Sequence, residues 1–167
     1  MRFFSKSQHK QVSARSEFGL CDDPSPAKNP AYLNETDNAK WIATVKNEQQ
    51  REITFTAIDH CPEYEVVQAD GTTAKRCDCA LTADNQVVFV ELKQQEYRGW
   101  IAAGEEQLRS TIAIFAQHDD SQEFGSKAAY ISNSLRPTQK NNHQVRMNNF
   151  LNDTGYVLRI QSKVELS

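Results

Sequence analysis

The sequence predicts an α/β domain in which a mixed β-sheet is covered by helices. Three features of the 167-residue chain carry that expectation. Between Trp41 and Lys93, short apolar or alternating runs follow one another with turn residues between them, the period-two pattern of strands. From Arg98 the apolar spacing becomes helical. Beyond that helix come a strand, a second helix and a last strand, and such an order buries its apolar faces as helices layered on a sheet.

Taken in order, Ala31 to Lys40 reads as a short helix. WIATVK (41–46) and REITFTAID (51–59) read as strands, with NEQQ suited to a hairpin turn between them. EYEVV (63–67) is a further strand candidate, and ADGT (69–72) a turn. KRCDCALT (75–82) and QVVFVELK (86–93) have the composition of buried strands. Trp100, Ile101, Leu108, Ile112 and Phe115 share one helical face, which predicts a helix over about 98–117. KAAYIS (127–132) reads as a short strand, Gln139 to Asn152 as a helix stopped by NDTGY, and YVLRIQ (156–161) as a final strand. Trp41 and Trp100 are expected to pack the core. Residues 1–30 are expected to be loosely organised, because DDPSPAKNP holds three of the five prolines. Residues 31–167 then form a single domain.

Apolar content of 38% and charged content of 25% place the chain among globular proteins. No stretch has the apolar length needed to cross a membrane. No apolar run follows MRFFSKSQHK, so it does not read as a secretory signal, and the expected location is cytoplasmic. Cys21, Cys61, Cys77 and Cys79 read as reduced thiols, since a chain of this length does not need disulfide staples. The net charge of −3 is unevenly spread. Arg2, Lys6, Lys10 and Arg15 open the chain without an acid among them, and Lys127, Arg136, Lys140, Arg146, Arg159 and Lys163 outnumber the acids near its end. Two basic ends can build a phosphate-binding surface, and lopsided solvated charge explains them equally well.

The chemistry is concentrated in residues 75–93. Asp84-Asn85 tolerates the positive φ of a tight hairpin turn. A turn centred there pairs Cys77 with Leu92, Cys79 with Val90 and Leu81 with Val88, a coherent apolar face. The same register sets Asp78 opposite Glu91 and Arg76 opposite Lys93 on the other face, beside Val87 and Phe89. Like charges directly across a strand pair repel, and among apolar neighbours they are costly to desolvate unless a cation lies between them. Mg²⁺ suits one or two carboxylates and retains waters for a phosphate.

Asp78 on one strand, Glu91-Leu92-Lys93 on the next, and a helix after them resemble the PD-(D/E)xK nuclease superfamily over about Arg51 to Ile131. The resemblance implies a restriction-endonuclease-like fold and hydrolysis of phosphodiester bonds in DNA, less so RNA, with Mg²⁺ or Mn²⁺. Asp78, Glu91 and the Leu92 carbonyl would bind the metal, and Lys93 would be the catalytic lysine. Gln107 is the first choice for the polar residue that the following helix supplies. Cys77 stands where the motif's name has Pro. The upstream acid of many members has two candidates here, Glu35 and Asp59. Arg76, Arg136, Lys140 and Arg146 are candidate phosphate contacts, and a chain this small would cut both strands of a duplex as a homodimer.

Other readings stand beside this one. A non-catalytic member of the same fold, binding nucleic acid or protein, is the alternative function. Asp78 and Glu91 can instead form a cross-strand charge cluster with Arg76 and Lys93 on an exposed sheet face. His60, Cys61, Cys77 and Cys79 are zinc-type ligands, although Cys77 and Cys79 lack CxxC spacing and lie about 7 Å apart along a strand. His118 and His143 have no motif around them and read as surface residues. Thr138 to Asn142 is too polar to pack inside and reads as a loop that can approach a substrate.

Overall fold

The structure, a computed structural model, describes residues 1–137 and 143–166. In chain order its strands are β1 (Lys10–Ser13), β2 (Glu17–Cys21), β3 (Tyr32–Asn34), β4 (Ala43–Lys46), β5 (Ile53–Ala57), β6 (Cys79–Ala83), β7 (Gln86–Lys93), β8 (Ser126–Asn133), β9 (Val157–Ile160) and β10 (Lys163–Glu165). Its α-helices are α1 (Trp100–Phe115) and α2 (Gln144–Thr154). The expected α/β class is what is found. A six-stranded mixed sheet has the order β1-β5-β6-β7-β8-β9, and a four-stranded sheet the order β10-β4-β2-β3. No helix among the described residues is long and apolar enough to cross a membrane.

The β6–β7 hairpin has the expected register. Asp84 takes φ 50° at the turn, Ala83 pairs with Gln86, and Cys79 pairs with Val90. β7 is central: β6 runs antiparallel on one side and β8 parallel on the other. α1 packs against it, and Gln86 through Leu92 are buried without alternation. A parallel neighbour needs a crossover. α1 supplies the one from β7 to β8, and α2 the one from β8 to β9. α1 buries Trp100, Leu108, Ile112 and Phe115. Gly104 lets it approach β8 closely, since a Cβ there would lie 3.0 Å from Ile131 Cγ2. Phe89 of β7 packs against Phe3, Phe115 and Tyr156, with ring centroids 6.3, 5.5 and 5.9 Å away.

Several elements depart from expectation. The first 30 residues are not loosely organised as a whole, because they contribute β1 and β2 and bury Phe3. The Asp120 carboxylate accepts the backbone N–H groups of Phe3 and Phe4 at 2.7 and 3.0 Å, fixing the start of the chain to the core. Ala31 to Lys40 holds β3 and a 3-10 turn at Asn38–Lys40 rather than one helix. Asn34 Oδ1 accepts the N–H groups of Thr36 and Asp37 and the Trp41 indole N–H, and such local side-chain bonds compete with helix formation. Trp41 is half-buried over Gly19, where any Cβ would fall inside its ring.

WIATVK and REITFTAID do form strands, but they do not pair as a hairpin: β4 and β5 lie in different sheets. Buried Asn47 redirects the chain, its amide donating to the carbonyls of Arg15 and Arg51 and accepting the Arg51 N–H. EYEVV is not a strand either. Pro62 to Tyr64 form a 3-10 turn, and Val66 and Val67 are exposed with a single bridge from Val67 to Thr73.

Asp120→Ala leaves two N–H groups without their acceptor, one of them buried. It is expected to lower stability by about 1–3 kcal/mol and to speed amide exchange at Phe3 and Phe4. Urea denaturation with hydrogen exchange checks this, and an unchanged midpoint would contradict the anchoring role.

Candidate functional site

The site lies where β6 begins and β7 ends. Asp78 immediately precedes β6, and continuing the hairpin register sets it opposite Glu91. The Ile58 N–H donates to the Asp78 carbonyl at 2.9 Å, and the Leu92 N–H donates to Asp78 Oδ2 at 2.7 Å. The carboxylate is therefore held by the backbone of the strand that carries Glu91 and Lys93. Lys93 Nζ lies 3.0 Å from Glu91 Oε2 and donates to Gln107 Oε1 at 2.8 Å. One turn further along α1, Thr111 Oγ1 accepts the Cys77 N–H at 2.7 Å and donates to the Gln107 carbonyl at 3.0 Å. The helix that delivers Gln107 is thus bolted to the segment that delivers Asp78. Asp78, Glu91, Lys93 and Gln107 come together as expected.

Asp78 is 6% exposed and Glu91 2%, which excludes a charge cluster on an open sheet face. Burial, then the negative charge of Glu91, pushes the Asp78 carboxyl well above its usual range. Burial also lifts Glu91, to about 7, against the pull of the Lys93 ammonium. The two carboxyl groups lie opposite each other on the strand pair, and burial favours the neutral form of each where no cation neutralises them. Glu91 Oε1 is buried without a donor. Convergent carboxylate oxygens with an unsatisfied member fit a hard, oxygen-seeking divalent ion such as Mg²⁺ or Mn²⁺.

The pair opens into a cleft of about 610 Å³ lined also by Asp22, Asp23, Lys28, Asp59, His60, Leu92 and Gln95 among others. Its acids, Asp22, Asp23, Asp59, Asp78 and Glu91, outnumber its lysines, Lys28 and Lys93. Asp22 is the acid that sequence reasoning missed. Half-buried in the loop after β2, it is pushed up to about 7 by desolvation and then by the charge of Asp78. An acidic pair following the strand-like EFGLC was a readable signal, but the neighbouring prolines made the segment look like unplaced loop.

Other candidates lie elsewhere. Glu35 is held by Ser13 Oγ and Arg15, both at 2.9 Å, outside the cleft. Asp59 lines the cleft but is engaged by Arg76 Nη2 at 3.2 Å and His60 Nε2 at 3.5 Å. Arg76 is not available to a nucleic acid. It is buried, and it bonds Asp59 and the Cys61 carbonyl instead of facing Lys93. Arg136 is exposed in the turn after β8, outside the cleft lining. Arg146 pairs with Glu105 at 2.7 Å beside α1. Lys140, with the rest of Thr138 to Asn142, lies outside the described residues. Of the basic residues near the two ends, Arg2, Arg15, Arg146 and Lys163 each pair with a nearby glutamate. Cys77 and Cys79 are interior thiols directed at backbone carbonyls, so the zinc alternative gains nothing from them.

A raised carboxyl pKa sets the sign of a stability change. Unfolded Glu91 ionises near 4.5, while the folded residue keeps its proton to about 7. Across that window the native state binds more protons, so stability is complete below it and falls as pH rises through it. In metal-free buffer the urea midpoint is expected to drop between these limits, and Glu91→Gln is expected to flatten the fall; an equal slope in the variant would contradict a raised Glu91 carboxyl. Compared with known proteins, the chain matches no family model, no curated protein and no solved structure.

Proposed function

We propose that this protein is a metal-dependent nuclease of the PD-(D/E)xK type, hydrolysing phosphodiester bonds of DNA, with RNA as the alternative substrate. The observation that carries the reading is the buried contact between Asp78 and Glu91 with Lys93 pinned beside it by Gln107. A structural charge cluster has no reason to bury two repelling acids at a cleft floor, whereas a cation site does. Asp78, Glu91 and the Leu92 carbonyl are the groups that would hold Mg²⁺ or Mn²⁺, with Asp22 as the nearby third acid. The ion supplies Lewis-acid stabilisation of phosphate oxygens and a more acidic bound water.

The chain's own groups do the rest. An ammonium has three N–H donors, and Glu91 and Gln107 take two from Lys93. The third can hold the attacking water or a phosphate oxygen on which charge develops. Gln107 keeps the ammonium from collapsing fully onto Glu91. A homodimer would present two such clefts to a duplex, and a cytoplasmic setting would keep the four cysteines as thiols.

Purified protein with plasmid, single-stranded DNA or RNA and Mg²⁺ or Mn²⁺ is expected to cleave a DNA substrate. Glu91→Ala and Lys93→Ala are each expected to lose at least ~10²-fold in rate, and Gln107→Ala less. Absence of cleavage by the wild type with every substrate and both metals would favour the non-catalytic binding module instead.

A further inference from the structure

Outside the cleft, His9, Cys61 and Glu63 point one potential ligand atom each at a common spot, and these atoms lie within 4.8 Å of one another. Cys61 Sγ is 3.6 Å from His9 Nδ1, and the same nitrogen is 3.6 Å from Glu63 Oε1. At 3.6 Å the nitrogen–carboxylate contact is too long for a hydrogen bond, and a single ring nitrogen facing both partners cannot satisfy both well. A tetrahedral zinc ion, with bonds of ~2.3 Å to sulfur and ~2.0 Å to nitrogen or oxygen, spaces its ligand atoms about 3.5 Å apart. The Sγ–Nδ1 distance suits a thiol hydrogen bond and a tetrahedron edge alike, whereas the Nδ1–Oε1 distance suits only the edge.

The ligand segments are held in place without an ion. The Ala57 N–H donates to the His9 carbonyl at 3.0 Å, tying it to the end of β5. The Cys61 carbonyl accepts from the Tyr64 N–H and from Arg76 Nη1. Glu63 Oε1 accepts the Gln8 N–H at 3.2 Å, which aims the carboxylate. The thiol is fully buried, while the His9 side chain is 49% and the Glu63 side chain 20% exposed, so an ion has a route in from solvent. A thiolate, an imidazole and a carboxylate form a donor set of borderline softness, which favours Zn²⁺ over the hard ions suited to the cleft.

We propose that His9, Cys61 and Glu63 form a zinc site distinct from the cleft, with its fourth position open to water. Zinc there would clamp the segment ahead of β1 to the loop after β5, the loop that also carries Asp59 and His60 to the cleft wall. The inference does not use the Asp78–Glu91 pair and stands or falls apart from the nuclease reading.

The test is a titration of the metal-free full chain with Co²⁺ as a coloured stand-in for zinc. Expected is a sulfur-to-cobalt charge-transfer band that saturates at one equivalent and is abolished by adding Zn²⁺. The band should vanish in Cys61→Ser, weaken at least ~10-fold in affinity in His9→Ala, and persist in Glu91→Gln. His9 is exposed, so its variant decides the matter if Cys61→Ser fails to fold. Absence of a thiolate band, a band unchanged in His9→Ala, or a band lost in Glu91→Gln would overturn the proposal.

Discussion

Two carboxyl groups held in contact inside a sheet are the constraint around which this fold is arranged. Burying two facing carboxyls is costly unless a proton or a cation neutralises them. The protein tolerates the pair because its surroundings are fixed by other interactions. The hairpin register presents Asp78 to Glu91, the Leu92 N–H holds one carboxylate, and Lys93 leans on the other. Burial raises both carboxyls above their usual range, so the pair favours neutralisation.

The larger architecture serves this local arrangement. β7 is the central strand, so its position is set by β6 on one side and β8 on the other. α1 returns across that sheet, is admitted close to β8 by Gly104, and is tied to the segment before β6 through Thr111. Gln107 therefore reaches Lys93 from a rigid element and not from a loop. Beyond the strand end, Asn133 accepts the Gln95 N–H and donates to the Gln95 carbonyl, holding the chain that leaves the site.

What could be read from the sequence was local. A two-residue turn and period-two alternation determine a hairpin register, so Asp78, Glu91 and Lys93 could be grouped from residues 75–93 alone. Helical periodicity located α1, and with it Gln107. The failures required knowledge of distant packing. Nothing near Phe3 indicates that Asp120 will bind its backbone, and the prolines after Asp22 conceal that the β2–β3 loop will fold over the end of β7. Arg76 failed because the hairpin ladder ends at Cys79, which frees the preceding backbone to turn its guanidinium toward Asp59 and the Cys61 carbonyl. The separation of β4 from β5 depends on Asn47 binding two carbonyls, a tertiary role that a turn-like NEQQ does not announce.

The Asp78–Glu91 pair is proposed to hold a divalent cation. Anomalous diffraction from crystals grown with Mn²⁺ addresses it directly. The claim requires a peak between the two carboxylates, bonded to both, that disappears in Asp78→Asn. Well-ordered carboxylates still in mutual contact with no anomalous density between them, at a Mn²⁺ concentration that fills other sites, would contradict it.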